Sequence, residues 1–118
     1  MIDHLELRTP KLDACVLFYK TVLAPLGYTL TVDGRAKGFG DGKGHDFFLV
    51  SSEVTDTPHY AFRAPDRAMV RACYAAGAAL DAQDREPALA PNVHPNYYAG
   101  YLRDPDGRLV EFTCHEPE

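Results

Sequence analysis

The sequence predicts an α+β fold made of two similar halves, each with a strand, a covering helix and two or three further strands. The heptapeptides His4–Pro10 and His59–Pro65 align at an offset of 55 residues with identical histidine, arginine and proline, and Tyr19 falls on Tyr74 at the same offset. Each copy passes from strand-like alternation, through proline, into a helical pattern. We therefore expect two half-open sheets that pair around a cupped face.

The first half shows one helix among strands. An apolar stripe from Leu12 to Leu23 at helical spacing indicates the helix, and Pro25 and Gly27 end it. Alternation and β-branched or aromatic residues indicate the strands. The predicted elements are a strand over 2–9, a helix over 12–23, strands over 28–32 and 47–51, and a glycine-rich hairpin over 37–44.

The second half repeats this order after a predicted linker over residues 55–58. Its helix buries Val70, Cys73, Gly77 and Leu80 in this interpretation. Three prolines in the polar stretch over 86–95 favour a loop or lid. The predicted elements are a strand over 59–64, a helix over 67–80, strands over 97–103 and 109–115, and a turn at Asp104–Gly107 between the last two.

Composition excludes several classes of protein. The 118 residues are enough for a single domain, residues 1–118, and the net charge of −5 with no basic cluster argues against nucleic acid and anionic membranes as partners. No apolar run is long enough for a membrane span, and the first residues lack the pattern of a signal peptide. Cys15, Cys73 and Cys114 fit neither a disulfide framework nor a zinc site, so we expect buried thiols in a reducing cytoplasm.

The polar faces of three predicted strands carry candidate metal ligands. His4 and His59 occupy equivalent places in the two repeats, each opposite an apolar strand face, and Glu111 opposes Val110 and Phe112 on the last strand. Two histidines and one carboxylate are the ligand set of a facial triad, which leaves coordination positions open for substrate. The alternative is that all three are solvated residues on an exposed sheet face.

The same residues carry a resemblance to a known family. His4–Arg8, Phe18-Tyr19 and the Pro25–Gly27 segment resemble the opening of vicinal oxygen chelate proteins, and Asp104–Gly107 followed by Glu111 resembles their closing signature. This superfamily includes glyoxalase I, bleomycin-resistance proteins, fosfomycin-resistance enzymes and extradiol dioxygenases.

The resemblance implies two βαβββ modules, over about 1–54 and 58–116, around a metal cleft. It assigns the metal ligands to His4, His59 and Glu111, with a fourth position near Phe48. Glyoxalase I proteins have a ligand at that fourth position and phenylalanine cannot bind a metal, whereas fosfomycin-resistance enzymes and extradiol dioxygenases use two histidines and one glutamate.

A second part of the resemblance concerns the extradiol dioxygenases. Asn92-Val93-His94 and Tyr101 fall close to their closing pattern, and Gly100 departs from it where that pattern has a larger apolar residue. The resemblance implies that Tyr101 and His94 lie near the metal-bound substrate. His115 shares the strand face of Glu111, so it is either an acid or base of the site or an exposed residue near the C-terminus. We take Tyr101, His94 and His115 as candidates for proton handling.

The expected function is a metal-dependent enzyme, ring-cleaving dioxygenase-like or glyoxalase-like lyase. Its small substrate chelates one divalent ion (Fe, Mn, Ni or Zn) through two neighbouring oxygens. The alternatives are a metal-free protein that sequesters a small molecule, of the bleomycin-resistance type, and a module serving mainly dimerisation or regulation. We expect a homodimer, with the cleft either within one chain or shared between two.

Overall fold

The computed structural model describes residues 2–54 and 58–118, so Thr55, Asp56 and Thr57 of the predicted linker lie outside the described residues. Within these ranges the chain forms eight strands and two α-helices. They are β1 (Leu5–Thr9), α1 (Leu12–Val22), β2 (Thr29–Asp33), β3 (Ala36–Gly40), β4 (Phe47–Ser51), β5 (Tyr60–Arg63), α2 (Arg67–Ala78), β6 (Gln83–Leu89), β7 (Tyr98–Arg103) and β8 (Leu109–Cys114).

The strands form two four-stranded sheets of the same topology, ordered β1-β4-β3-β2 and β5-β8-β7-β6. In each sheet the first pair is parallel and the others are antiparallel. The registers also correspond, because Glu6 lies beside Phe48 as Ala61 lies beside Glu111. The predicted α+β fold of two βαβββ modules is confirmed.

Each helix packs on its sheet, and the residues that begin or end it are recognisable in the sequence. Helix α1 buries Cys15, Phe18, Tyr19 and Val22 and ends in a 3₁₀ turn, after which Gly27 takes a left-handed φ of 79°. Helix α2 starts at Asp66, whose side chain accepts a hydrogen bond from the Met69 backbone N–H at 2.8 Å.

Glycine sets how closely α2 approaches its sheet. A Cβ on Gly77 would lie 2.3 Å from Leu102 Cδ1, so the helix rests on β7 only because this position has no side chain. The prediction that Leu80 points inward is wrong. The helix ends at Ala78, and Leu80, beyond that end, is 39% exposed.

The two modules share one core. The Phe47 ring of the first sheet lies 5.5 Å from the Phe62 ring of the second, which in turn stacks on Phe112 at 5.6 Å. The three cysteines are free and buried, as predicted. Successive side chains of a strand point to opposite faces, so each sheet turns its apolar face toward this core and its polar face away from it.

A buried ion pair joins the modules at the turn between β7 and β8. Arg108 is 1% exposed, and its Nη1 donates to Asp104 Oδ2 at 2.9 Å, while Nη2 donates to the carbonyl of Arg8 in the first module. Tyr19 of α1 donates to the same Asp104 oxygen at 2.6 Å. Burial opposes the charge on Arg108, but the hydrogen bonds and charge of Asp104 hold the pKa of Arg108 above its ordinary value.

Two loop predictions need correction. The first half of the predicted hairpin over 37–44 is strand, because β3 runs from Ala36 to Gly40. The predicted loop or lid over 86–95 begins inside β6, which ends at Leu89. Pro87 is tolerated there because β6 is an edge strand whose register shifts between Arg85 and Ala88.

The same proline accounts for Gly100, the position that departs from the dioxygenase pattern. A Cβ on Gly100 would lie 2.8 Å from Pro87 Cγ, so the proline ring fills the space that a larger residue would occupy.

No helix among the described residues is long and apolar enough to cross a membrane.

The Asp104–Arg108 pair gives a stability prediction. Replacing Asp104 with Ala leaves the Arg108 charge buried and without its main partner, which we expect to lower the free energy of unfolding by about 3–5 kcal/mol. The control is Asp84→Ala, which removes the more exposed pair with Arg103 and should cost less than about 1 kcal/mol. Urea unfolding measures both, and equal losses would contradict a central role for the buried pair.

Candidate functional site

Glu111 is the centre of the candidate site. It lies on the outward face of β8, yet it is only 4% exposed because aromatic side chains cover it. Tyr97 donates from its hydroxyl to Glu111 Oε1 at 2.5 Å, and His59 Nε2 lies 2.9 Å from Oε2. A carboxylate is rarely buried unless it is paired, so these contacts hold it in place.

His59 is oriented so that one ring nitrogen faces Glu111. It precedes β5, and its Nδ1 lies 3.2 Å from the carbonyl oxygen of Leu109, to which it donates. Nε2 is then the nitrogen available beside Glu111, and its 2.9 Å separation from Oε2 is close to the about 3 Å between neighbouring ligand atoms on one ion. The half-exposed imidazole and buried carboxylate suit Fe, Mn, Ni or Zn.

Two tyrosines surround the carboxylate. Tyr101 on β7 is the cross-strand partner of Glu111, and its ring stacks at 6.3 Å on the His59 ring. Burial, reinforced by the nearby Glu111, raises the pKa of Tyr97 and of Tyr101. Both phenols are therefore neutral hydrogen-bond donors beside the carboxylate.

The sequence alone does not decide whether Tyr97 lines the pocket or the core, so Tyr97 is not among the predicted site residues. Alternation along the predicted strand over 97–103 was the available signal, because it puts Tyr97 on the same face as Tyr101, although the observed strand begins at Tyr98. The nearby Asn92-Val93-His94 segment was a second signal, since His94 packs edge-on against the Tyr97 ring at 5.5 Å.

His94 and His115 form a pair at the far end of the same face. The backbone N–H of Asn96 donates to His94 Nδ1 at 3.1 Å, so His94 Nε2 carries the proton of the neutral ring and donates to His115 Nδ1 at 2.9 Å. His115 is half-buried in this pair, rather than simply exposed. It lies four residues beyond Glu111, about 13 Å along the strand.

His4 lies on the outward face of the first sheet. Its Nδ1 is 2.7 Å from Asp3 Oδ1, its ring packs edge-on against Phe48 at 5.6 Å, and its side chain is 54% exposed. The register makes Phe48 the counterpart of Glu111 in the first module. Among the described residues, His4, His59 and Glu111 do not form a group of ligand atoms that all lie within 4.8 Å of one another.

A second group of potential ligands, Cys15, Asp104 and Asp106, lies within the buried network between the modules. The Arg108 guanidinium donates to both carboxylates at 2.9 Å, so their charge is already compensated. Burial raises the pKa of Cys15 to about 11, which keeps its thiol protonated at neutral pH. We therefore assign this group to stability.

A cavity of about 540 Å³ lies away from Glu111. It separates α1 from the start of β6, and Leu17, Leu80 and Pro105 are among its lining residues. The lining contains no histidine. None of the candidate site residues lines this cavity.

The contacts of Glu111 give a second stability prediction. We expect Tyr97→Phe to lower the free energy of unfolding by about 1.5–3 kcal/mol, because it removes a hydrogen bond to a buried charged group. Tyr28→Phe is the matched control, since Tyr28 donates to the exposed carboxylate of Asp46 at 2.5 Å. Denaturant unfolding compares the two, and an equal or larger loss in Tyr28→Phe would contradict the buried contact.

Similar proteins have the same architecture. A glyoxalase/bleomycin resistance protein from Albidiferax ferrireducens T118 superposes with a TM-score of 0.81 at 21% identity, covering 95% of this chain and 97% of that chain. A lactoylglutathione lyase from Agrobacterium tumefaciens gives 0.71 at 25% identity, covering 97% and 92%. The fosfomycin resistance protein FosX from Mesorhizobium loti gives 0.70 at 17% identity, covering 96% and 90%.

The sequence comparisons identify the family. The uncharacterized protein PA2024 of Pseudomonas aeruginosa is 32% identical over 137 residues, covering 98% of this chain and 89% of that protein. The family model of the Glyoxalase/Bleomycin resistance protein/Dioxygenase superfamily matches residues 1–112. The chain therefore belongs to the Glyoxalase/Bleomycin resistance protein/Dioxygenase superfamily, as the sequence resemblance implied.

Proposed function

We propose that the protein is a metal-dependent enzyme, ring-cleaving dioxygenase-like or glyoxalase-like lyase, whose small substrate chelates a divalent ion through two neighbouring oxygens. The contact between His59 Nε2 and Glu111 Oε2, at 2.9 Å, carries this proposal. The donor types and their separation fit a metal, and the half-exposed His59 leaves the pair accessible from the outward face. Superfamily membership supports the same chemistry.

The third ligand in this proposal is His4 of the partner subunit. Within one chain the described residues do not gather His4, His59 and Glu111 into one close group of ligand atoms. A two-fold dimer would instead bring the first module of one subunit onto the second module of the other. Each dimer then contains two equivalent clefts. The first module also contributes Phe48, a half-buried ring that faces the same way as His4.

A divalent ion held by these residues would supply Lewis acidity that polarises the oxygens of the substrate. The protein's own side chains orient the ligands and handle protons. The Leu109 carbonyl accepts from His59 Nδ1 and orients that ring, and the Tyr97 hydroxyl donates to Glu111 Oε1 and orients that carboxylate. The protonated phenol of Tyr101, the cross-strand neighbour of Glu111, is placed to donate a hydrogen bond to a substrate oxygen.

Metal binding is the first test. Replacing Glu111 or His59 with Gln removes one proposed ligand. We expect the affinity for Mn²⁺, Ni²⁺ or Zn²⁺ to fall at least tenfold, because removing even a hydrogen-bond partner of a metal ligand costs about tenfold or more. The control is His45→Gln, because His45 is exposed and bonds only Thr31 at 2.8 Å among its described side-chain contacts. Equilibrium dialysis with elemental analysis measures the bound metal.

The metal-free alternative predicts a different result. A sequestering protein would bind no ion in this assay and would be stabilised against heat by its ligand without added metal. Equal metal content in wild type, Glu111→Gln and His45→Gln would contradict the proposed ligand set.

Subunit mixing tests the shared cleft. We expect His4→Gln and Glu111→Gln each to lose tight metal binding, and a mixture refolded together to recover part of it. The reason is that one cleft of the mixed dimer receives an intact His4 from one subunit and an intact Glu111 from the other. A mixture of Glu111→Gln with His59→Gln is the control, since both changes affect the same module and no intact cleft forms. Equal results from the two mixtures would contradict the shared cleft.

A further inference from the structure

We propose that Arg85 binds an anionic group of the substrate, so that the substrate is a small molecule with neighbouring metal-binding oxygens at one end and a carboxylate or phosphate at the other. This inference rests on the proposed metal site for the first half of the substrate. The anion site itself rests on the position and contacts of Arg85.

Arg85 lies in the same cross-strand row as the proposed metal ligand. Ala61, Glu111, Tyr101 and Arg85 are successive partners across β5, β8, β7 and β6. Paired residues of neighbouring strands point to the same face, so Arg85 and Glu111 share the outward face. Two strand spacings place their Cα atoms about 10 Å apart.

The Arg85 guanidinium is held in place without an anionic partner. Its Cζ lies 4.2 Å from the centre of the Tyr101 ring, a cation–π contact that directs it along the row toward Glu111. Among the described residues, the ion pairs and hydrogen bonds include none from its guanidinium. Arg67, Arg71, Arg103 and Arg108 each lie within 4.0 Å of a carboxylate oxygen, whereas Arg8, Arg35 and Arg63 have no such contact among the described residues, like Arg85. Of the four without that contact, only Arg85 lies over an aromatic ring in the part of the chain that is described.

The chemistry of a stacked guanidinium defines the ligand. Contact with an aromatic face leaves the N–H donors at the edge of the group free, and their fork matches the two oxygens of a carboxylate or phosphate. In a protein of net charge −5, this positive group beside the proposed metal site selects anionic over neutral substrates. The distance of about 10 Å between the Cα atoms of Arg85 and Glu111 corresponds to a substrate about one aromatic ring long.

The first experiment uses the metal-free protein, and therefore does not depend on the proposed metal. Benzoate and phenyl phosphate are titrated, with benzamide as the neutral probe, and binding is followed by NMR, including the arginine side-chain signals. We expect either anion or both to bind the wild type about tenfold more tightly than they bind Arg85→Gln, with Arg85→Lys between the two because it keeps the charge but loses the fork.

The matched control is Arg71→Gln. Arg71 also packs over a tyrosine, Tyr98, at 5.9 Å, but it does so from α2 on the opposite face of the sheet. We expect Arg71→Gln to bind the anions as the wild type does. If Arg85→Gln binds both anions as tightly as the wild type, or benzamide binds as tightly as either anion, the Arg85 proposal is wrong. The preferred anion distinguishes carboxylate from phosphate.

The second experiment uses the Mn²⁺-loaded protein with catechol and 3,4-dihydroxybenzoate, which differ only by a carboxylate. We expect the carboxylated probe to bind about tenfold more tightly, and Arg85→Gln to abolish that preference while leaving catechol affinity unchanged. A preference that persists in Arg85→Gln would overturn the proposal. Loss of metal-dependent catechol binding, with the benzoate difference retained, would instead contradict the proposed metal function and leave the anion site standing.

Discussion

The architecture depends on the two-sided geometry of its strands. The apolar side of each sheet is committed to one shared core, where Phe47 meets Tyr60 and Phe62. Every residue at an alternate position must then point outward, and this requirement gathers His59, Glu111, Tyr101 and Arg85 on one surface. The same requirement puts His4 on the outward face of the first sheet. In the proposed site, the two histidines and one glutamate are drawn from two chains.

Two buried carboxylates have different partners and different proposed roles. The Asp104 carboxylate accepts hydrogen bonds from the Arg108 guanidinium and the Tyr19 phenol inside the core, and these contacts hold the modules together. Glu111 is compensated by a phenol and an imidazole at the surface, where one of its partners is half-exposed. The second carboxylate is the one assigned to the proposed metal site. The Asp104–Gly107 turn holds the two modules together, and the proposed ligand Glu111 lies further along β8.

Much of this could be predicted from local sequence. The His4 and His59 repeats indicated equivalent strands, Asp104–Gly107 marked a turn, and alternation placed Glu111 opposite Val110 and Phe112. These inferences succeeded because each depends on residues close in the chain. Pro87 misled the assignment of β6, since proline is tolerated on an edge strand and sequence does not show which strand is at the edge.

Other features depend on distant parts of the chain. Folding brings distant segments together in three contacts. They are the hydrogen bond from Tyr97 to Glu111, the hydrogen bond from Arg108 to the Arg8 carbonyl, and the cation–π contact of Arg85 with Tyr101. The relative placement of the two polar faces belongs to the same class, because it follows from how the sheets pack and not from any one strand. Sequence reasoning therefore named the ligand types as a hypothesis and left open which chain supplies each.

Anomalous X-ray scattering from crystals of the Mn²⁺-loaded or Zn²⁺-loaded protein locates the metal and identifies its ligands. We expect a single peak per cleft, bonded to His59 Nε2 and Glu111 Oε2 of one subunit and to His4 of the partner subunit. A peak among Cys15, Asp104 and Asp106, or no metal peak beside Glu111 in the loaded crystals, would contradict this ligand set.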